Sequence, residues 1–292
     1  MILPPPTSGP TQAPPGDARQ RAYSAGAKVA RHRMRVEAPE DADALERVQA
    51  SDVVVIDGSY DHVGRVFDAL ELPYSRVGPT QLDRVRLRPE QLVVVNCPGQ
   101  IDSRQVGRLA GFVHDGGSLF TTDWALRHVI EPGFPGLVAY NERPTADDVV
   151  RIQMRGHDNP FLQGVMTADD DPQWWLEASS YPIRVLAPDR VRVLIDSAEL
   201  AAKYGEPAVV VAFDHGAGEV LHMISHYYLQ RTELRSQRHA MSGTAYAAAK
   251  GYAPAPSEAA AFAESSLGDV ESAASSSRLL ANVVASRKRK SS

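Results

Sequence analysis

The chain has 292 residues, 43% of them hydrophobic and 23% charged, with a formal net charge of -5. That is ample material for a globular core, and the sign of the charge argues against bulk attraction to nucleic acid or to an anionic membrane surface. A single cysteine, Cys97, excludes an intramolecular disulfide framework and a cysteine-rich zinc site, and no apolar run approaches the ~18 residues of a membrane span.

The opening residues, with Pro4-Pro5-Pro6, Pro10 and Pro14-Pro15 among Thr, Ser, Gly and Gln, offer no apolar face, so residues 1–36 are predicted to be disordered. They carry no basic segment followed by an apolar run, hence no secretory signal is read there and a cytoplasmic location is the expectation. A short helix is expected at residues 42–50, from the spacing of Leu45 and Val48.

The pattern then changes. Val53–Ile56 is a β-branched run ending in Asp57-Gly58-Ser59-Tyr60, followed at residues 62–72 by Val63, Val66, Phe67 and Leu70 at helical spacing. The unit recurs. Residues 74–77 suit a short strand, and Leu92–Val95 is a second fully apolar run ending in Asn96-Cys97-Pro98-Gly99. Ser103–His114 carries Val106, Leu109, Ala110 and Val113 on one helical face and closes on Gly116-Gly117. Residues 118–121 form a further strand, ending in Thr122-Asp123-Trp124 before a helical stretch at residues 125–130.

Strands alternating with helices imply βαβ units, and strands apolar on both faces imply burial on both sides. The predicted fold is therefore α/β, a flavodoxin-like three-layer sandwich with a mostly parallel sheet and helices on both faces. The second half is richer in strands, with candidates at residues 149–154, 183–186, 191–196, 208–213 and 219–225. The last two are expected to pair as a hairpin across Asp214-His215-Gly216-Ala217-Gly218. Residues 37–230 are read as one α/β domain. Residues 231–268, rich in Ala, Ser and Pro, read as a linker. Residues 269–292 read as an amphipathic helix carrying Leu279, Leu280, Val283 and Val284, with Arg287-Lys288-Arg289-Lys290 as a solvated basic tail.

Ligands of open α/β sheets bind beyond the carboxyl ends of the strands, which selects residues 57–60, 96–99, 121–124 and 225–228. His226, at the end of a late strand, has the chemistry of a general acid or base, or else hydrogen-bonds a neighbouring loop. Asp123, on a strand-to-helix turn, can face the crevice as a reactive carboxylate or serve as a helix N-cap. Cys97 is a thiol nucleophile or a buried structural residue. Asp57, Ser59, Tyr60, Thr122, Trp124 and Tyr228 complete the expected ligand-binding set. Trp174-Trp175 reads as core or interface packing. No phosphate-binding glycine loop is present, and His114-Asp115 and His157-Asp158 lack metal-ligand spacing, so neither cofactor nor metal is expected. The partner is an unidentified small molecule or protein, with neither nucleic acid nor membrane expected; oligomeric state is left open.

Several segments together carry a likeness. These are Val53-Val54-Val55-Ile56-Asp57-Gly58-Ser59-Tyr60, Gly116-Gly117-Ser118-Leu119, His157-Asp158-Asn159-Pro160-Phe161-Leu162-Gln163-Gly164-Val165, and Gly216-Ala217-Gly218-Glu219-Val220-Leu221-His222-Met223-Ile224-Ser225-His226-Tyr227. Over residues 53–230 the chain resembles the class I glutamine amidotransferase-like superfamily, in particular the branch related to trehalose-utilisation proteins. The resemblance implies a cysteine at the elbow after a central strand, where Asp123 stands. It implies a histidine matched by His226, and a glutamate two residues beyond it, where Tyr228 stands. With two of three positions changed, glutamine hydrolysis is not expected. What remains is a crevice that binds a small molecule or a protein partner, a pseudoenzyme of that fold. The alternatives are a hydrolase using Asp123 and His226, and a scaffold protein working through its terminal segments.

Overall fold

The computed structural model describes residues 15–156 and 158–291. Helices α1 (Pro15–Glu37) and α2 (Pro39–Glu46) precede the first strand, β1 (Val53–Ile56). Then follow α3 (Val63–Ala69), β2 (Ser75–Val77), β3 (Leu92–Val95), α4 (Ser103–His114) and β4 (Ser118–Thr122). A π-helical turn at Leu126–Ile130 runs into the one-turn α5 (Glu131–Gly133). The strand-rich part comprises β5 (Val138–Tyr140), β6 (Asp148–Arg151), β7 (Gln153–Met154), β8 (Gln173–Leu176), β9 (Ile183–Val185) and β10 (Arg192–Asp196). After α6 (Ala198–Tyr204) come β11 (Ala208–His215), β12 (Gly218–Met223), α7 (Gly243–Ala249), α8 (Ala259–Ala263) and α9 (Leu267–Lys290).

Ten strands share one sheet with the path β2-β1-β3-β4-β12-β11-β10-β7, to which β9 and β5 attach through β11. From β2 to β12 every pairing is parallel; beyond β12 every pairing is antiparallel. The parallel half has the doubly wound order of the flavodoxin-like sandwich, as expected. All four residues of β1, all four of β3 and all five of β4 are buried, because helices cover both faces. The β11–β12 hairpin turns through Gly216-Ala217, with His215 opposite Gly218. Strand β8 was not expected: Trp174 and Trp175 lie on it, paired with β6 in a separate two-stranded sheet.

The terminal segments depart from the sequence reading. Residues 1–14 lie outside the described residues, but Pro15–Glu37 is helical and packs against α9, with Tyr23, Ala27 and Met34 in the main core. This corrects the expectation of disorder through residue 36. The helix has no long apolar stripe because its contact face is small: a methyl group on Gly26 would sit 2.6 Å from the Ala274 backbone nitrogen, so the two helices nearly touch. Small residues bury little area each but permit that close approach.

Nor do residues 231–268 form a free linker, since α7 and α8 bury Tyr246, Ala247 and Phe262 in a second cluster with α1 and α9. Helix α9 is buried on every side from Val270 to Ala285 rather than amphipathic. Its serines act as hydrogen-bonding groups in the interior. The Ser272 hydroxyl accepts from the Gln173 backbone amide at 3.0 Å, Ser275 accepts from the Trp174 indole at 2.9 Å, and Ser276 donates to the Tyr227 carbonyl at 2.6 Å. The basic run is not a free tail either: Lys288 meets Asp52 at 2.7 Å, Arg289 meets Asp41 at 2.8 Å, and the Arg287 guanidinium donates to the Glu90 carbonyl at 3.0 Å. Among the described residues no helix is long and apolar enough to cross a membrane.

Candidate functional site

The four strand-end segments converge at the carboxyl edge of β1, β3, β4 and β12. Asp123 extends β4 by one ladder bond, its amide donating to the Met223 carbonyl at 2.8 Å, and then turns the chain sharply with φ at +46°. Aspartate tolerates this left-handed conformation better than most residues, yet it is uncommon outside glycine and marks a constrained turn. Just beyond it the chain winds into the π-helical turn, a form that occurs often at functional sites.

The carboxylate of Asp123 is held on all sides. Oδ1 accepts from the Tyr181 amide at 2.9 Å and Oδ2 from the Ser180 hydroxyl at 2.9 Å. Cys97 Sγ lies 3.7 Å from Oδ2, and His226 Nε2 lies 3.4 Å from the same oxygen. On the other side of the imidazole, Nδ1 faces Glu177 Oε2 at 3.6 Å. Asp123, Cys97 and His226 are each 1% exposed. Neither nitrogen of His226 has a hydrogen bond of good geometry, so both contacts are charge contacts rather than aligned bonds.

Burial alone would disfavour the imidazolium, but Asp123, Asp61 and Glu177 together raise the His226 pKa above its ordinary value. Burial raises the Glu177 carboxyl as well, against the opposing pull of His226. Burial also pushes the Cys97 thiol up, and the nearby Asp123 charge adds to it. Cys97 is therefore a neutral thiol in this state, as poor a nucleophile as the sequence reading of a buried residue implies.

A cavity of about 130 Å³ opens beside this cluster, lined by Tyr60, Cys97, Asp123, Trp124, Glu177, Ala178 and Ser179. Trp124 forms one wall, its indole donating to the Ser179 carbonyl at 2.7 Å and its ring stacked on Tyr181 at 5.5 Å. Tyr60 meets the Trp124 ring edge-on at 5.4 Å. Thr122 does not face the cavity; its hydroxyl accepts from the Cys97 amide at 3.1 Å and fixes the turn that carries the thiol. A side chain at position 58 would collide with that turn, since its Cβ would lie 2.0 Å from the Cys97 carbonyl; Gly58 keeps the β1 and β3 ends together.

The structure separates other expected residues from this cluster. Asp57 pairs with Arg76 at 3.0 Å and lines a neighbouring cavity of about 150 Å³ with Asp61, His62 and Arg65. Ser59 is exposed on the connecting loop. Tyr228 points away, stacked on Tyr23 at 4.6 Å beneath the Arg65 guanidinium. His114 and Asp115 meet at the surface, 3.3 Å apart, and His157 lies outside the described residues.

Four residues of the cluster were not expected from the sequence: Glu177, Ser180, Tyr181 and the buried Asp61, which accepts from the Tyr227 amide at 3.3 Å. The first three follow β8. The signal available was the apolar run Trp174-Trp175-Leu176, legible as a strand, with Glu177 at its carboxyl end.

The fold and the cluster define a class: a doubly wound α/β domain whose elbow residue, a strand-end histidine and a carboxylate meet at one crevice. Solved structures of similar outline exist, at low identity. A GMP synthase protein from Thermoplasma acidophilum matches 64% of this chain and 87% of its own, at 14% identity and a TM-score of 0.45. A glutamine amidotransferase from Thermotoga maritima matches 62% of this chain and 76% of its own, at 10% identity and a TM-score of 0.42. A Bacillus circulans β-galactosidase matches 60% of this chain at 17% identity and a TM-score of 0.41, the matched part spanning 28% of that enzyme. No family profile matches the sequence, and neither does any curated protein.

Proposed function

We propose that this chain is an amidotransferase-like domain of the trehalose-utilisation-like branch that does not hydrolyse glutamine, and that its crevice hydrolyses a small substrate. The observation that carries the proposal is the unbroken line Asp123–His226–Glu177, with contacts of 3.4 and 3.6 Å at the edge of a cavity. The arrangement has the logic of a reactive group, a base and an orienting carboxylate. Glu177 takes up, from β8, the role of the glutamate that the resembled family carries two residues beyond its histidine.

In the metal-free chain the chemistry open to these groups is attack by the Asp123 carboxylate on an electrophilic carbon, expelling the leaving group. With a haloalkane, water deprotonated by His226 then attacks the resulting ester at its acyl carbon, releasing the product alcohol and restoring the carboxylate. With an ester or amide, the His226 imidazolium first protonates the departing alcohol or amine, and the same attack by water on the resulting anhydride releases the acid. Three carboxylates around one histidine disfavour an anionic substrate, and the aromatic wall of Tyr60 and Trp124 suits a flat or cationic group. A panel of small neutral and cationic esters, amides and haloalkanes tests this on the purified chain. Turnover lost at least a hundredfold in both Asp123→Ala and His226→Gln supports it; turnover indifferent to both sinks it.

A second reading is favoured by one observation. Both oxygens of Asp123 already accept hydrogen bonds, which lowers the reactivity of a carboxylate nucleophile. The crevice would then hold a small molecule without turning it over, and the same panel read by ligand-induced thermal shift distinguishes the two. The scaffold reading gains no support from the described residues: among them the exposed large apolar residues are Val36, Tyr60, Leu186, Leu234 and Met241, from five separate segments, and α9 is buried.

A further inference from the structure

Cys97, Asp123 and His226 come from three strand ends far apart in sequence, yet their donor atoms lie within 4.8 Å of one another. Zinc bonds of about 2.3 Å to sulfur and about 2.0–2.1 Å to oxygen and nitrogen place tetrahedral S and O ligands about 3.5 Å apart, and N and O ligands about 3.3 Å apart. The corresponding separations here are 3.7 Å from Cys97 Sγ to Asp123 Oδ2 and 3.4 Å from His226 Nε2 to the same oxygen. Two of the three ligand-to-ligand separations already match those of a tetrahedral ion, and the third, from Cys97 Sγ to His226, is within 4.8 Å.

A second observation points the same way. The fully buried imidazole of His226 has no well-formed hydrogen bond at either nitrogen, an expensive condition in an interior where buried polar atoms are nearly always satisfied. A metal ion on Nε2 removes that deficit. The surroundings then match the second shell of a zinc site: Nδ1 faces the Glu177 carboxylate at 3.6 Å, and the Ser180 hydroxyl donates to the ligating aspartate at 2.9 Å.

We propose that Cys97, Asp123 and His226 form a zinc site, with Glu177 and Ser180 orienting its ligands and a fourth coordination position facing the cavity. One thiolate, one imidazole and one carboxylate form a mixed donor set that suits borderline-soft Zn(II) and not calcium or magnesium. On binding, the Cys97 thiol gives up its proton to solvent and its sulfur bonds the ion. The cavity shares Cys97 and Asp123 with this set, so a water on the fourth position would meet a ligand there. The inference rests on the crevice being the working site, but it requires no turnover. Zinc on Asp123 Oδ2 withdraws the carboxylate as nucleophile and leaves a metal-bound water in its place.

The test uses the full chain, stripped with chelator and titrated with Zn(II) alone by calorimetry, then with Co(II) followed by absorption. One equivalent of zinc is expected, with affinity reduced at least a hundredfold in Cys97→Ser and in His226→Ala and about tenfold in Glu177→Gln. The Co(II) form should show a sulfur-to-metal charge-transfer band that disappears in Cys97→Ser. This band in the unmodified chain reads the site even if a variant folds poorly. Absence of stoichiometric zinc uptake, or zinc bound equally well by Cys97→Ser and His226→Ala with no such band, overturns the site. Zinc uptake without hydrolysis of any panel substrate leaves the site standing and removes the hydrolase. Hydrolysis that persists undiminished in chelator, with no zinc bound, does the reverse.

Discussion

His222 stands on β12 in register with Thr121 of β4, the two strands that lead to His226 and Asp123. It is fully buried, its Nδ1 is 2.8 Å from the Thr121 hydroxyl, and burial depresses its pKa from 6.5 to about 3. A histidine whose folded pKa lies below its unfolded value stabilises the fold above the unfolded pKa. That contribution is lost as pH falls through 6.5 toward about 3, because the unfolded chain takes up a proton that the folded chain refuses. At 1.36 kcal/mol per unit, the expected loss between pH 7 and pH 5.5 is about 1.2 kcal/mol, and between pH 7 and pH 4.5 about 2.5 kcal/mol. Urea unfolding followed by tryptophan fluorescence at these three pH values measures it. The control is His222→Asn, which can keep a partner for Thr121 at the Nδ1 position and does not titrate. The packing cost of that substitution is the same at every pH, and carboxylate contributions are common to both chains and cancel, so only the histidine's own titration separates the two curves. The difference between the two stability curves should therefore close by about 2.5 kcal/mol on going from pH 7 to pH 4.5. Curves that run parallel would refute the reasoning, since they would mean the imidazole is not held neutral by the core.

Three further outcomes are expected. Tyr23→Phe removes the hydroxyl that donates to the Tyr227 carbonyl and accepts from the Leu229 amide, each at 2.7 Å. It should cost about 2 kcal/mol in chemical denaturation, because it leaves the buried Leu229 amide unpaired and takes from the Tyr227 carbonyl one of its two donors, Ser276 keeping the other. Cys97, 1% exposed and with its pKa raised by burial, should resist a thiol reagent in the native chain and titrate as one equivalent on unfolding; rapid native labelling would contradict its placement. Gly58→Ala drives a methyl group toward the Cys97 carbonyl, so it should destabilise by about 1–3 kcal/mol and weaken ligand or zinc binding along with stability. Unchanged binding would show that the two loops move independently.

The doubly wound half of the sheet was legible because its periodicity is local. Four apolar residues in β1 and in β3, flanked by turns and amphipathic helices, permit little besides buried parallel strands. The strand-end rule selected Asp123, His226, Cys97, Tyr60 and Trp124, and the fold brings these five to one edge of the sheet. It selected Asp57, Ser59 and Tyr228 as well, which lie apart from that cluster, because a strand end fixes the position of a residue and not the direction of its side chain.

What the sequence could not disclose rests on contacts between distant segments. Helices α1 and α9 carry few large apolar residues. Their helical state is set by close packing of small side chains across more than two hundred residues of intervening chain, which no local window contains. Glu177 is the sharper case. The sequence of the resembled family places its carboxylate two residues beyond the histidine, and Tyr228 stands there. Only the folded chain brings β8 and its Glu177 to the far side of the His226 ring. The turn at Asp123 and the strand-end place of His226 were legible from sequence because the apolar runs and the turns that close them are local patterns. The carboxylate facing the histidine, and the close approach of Cys97, Asp123 and His226, exist only in the tertiary structure because distances between side chains are set by packing.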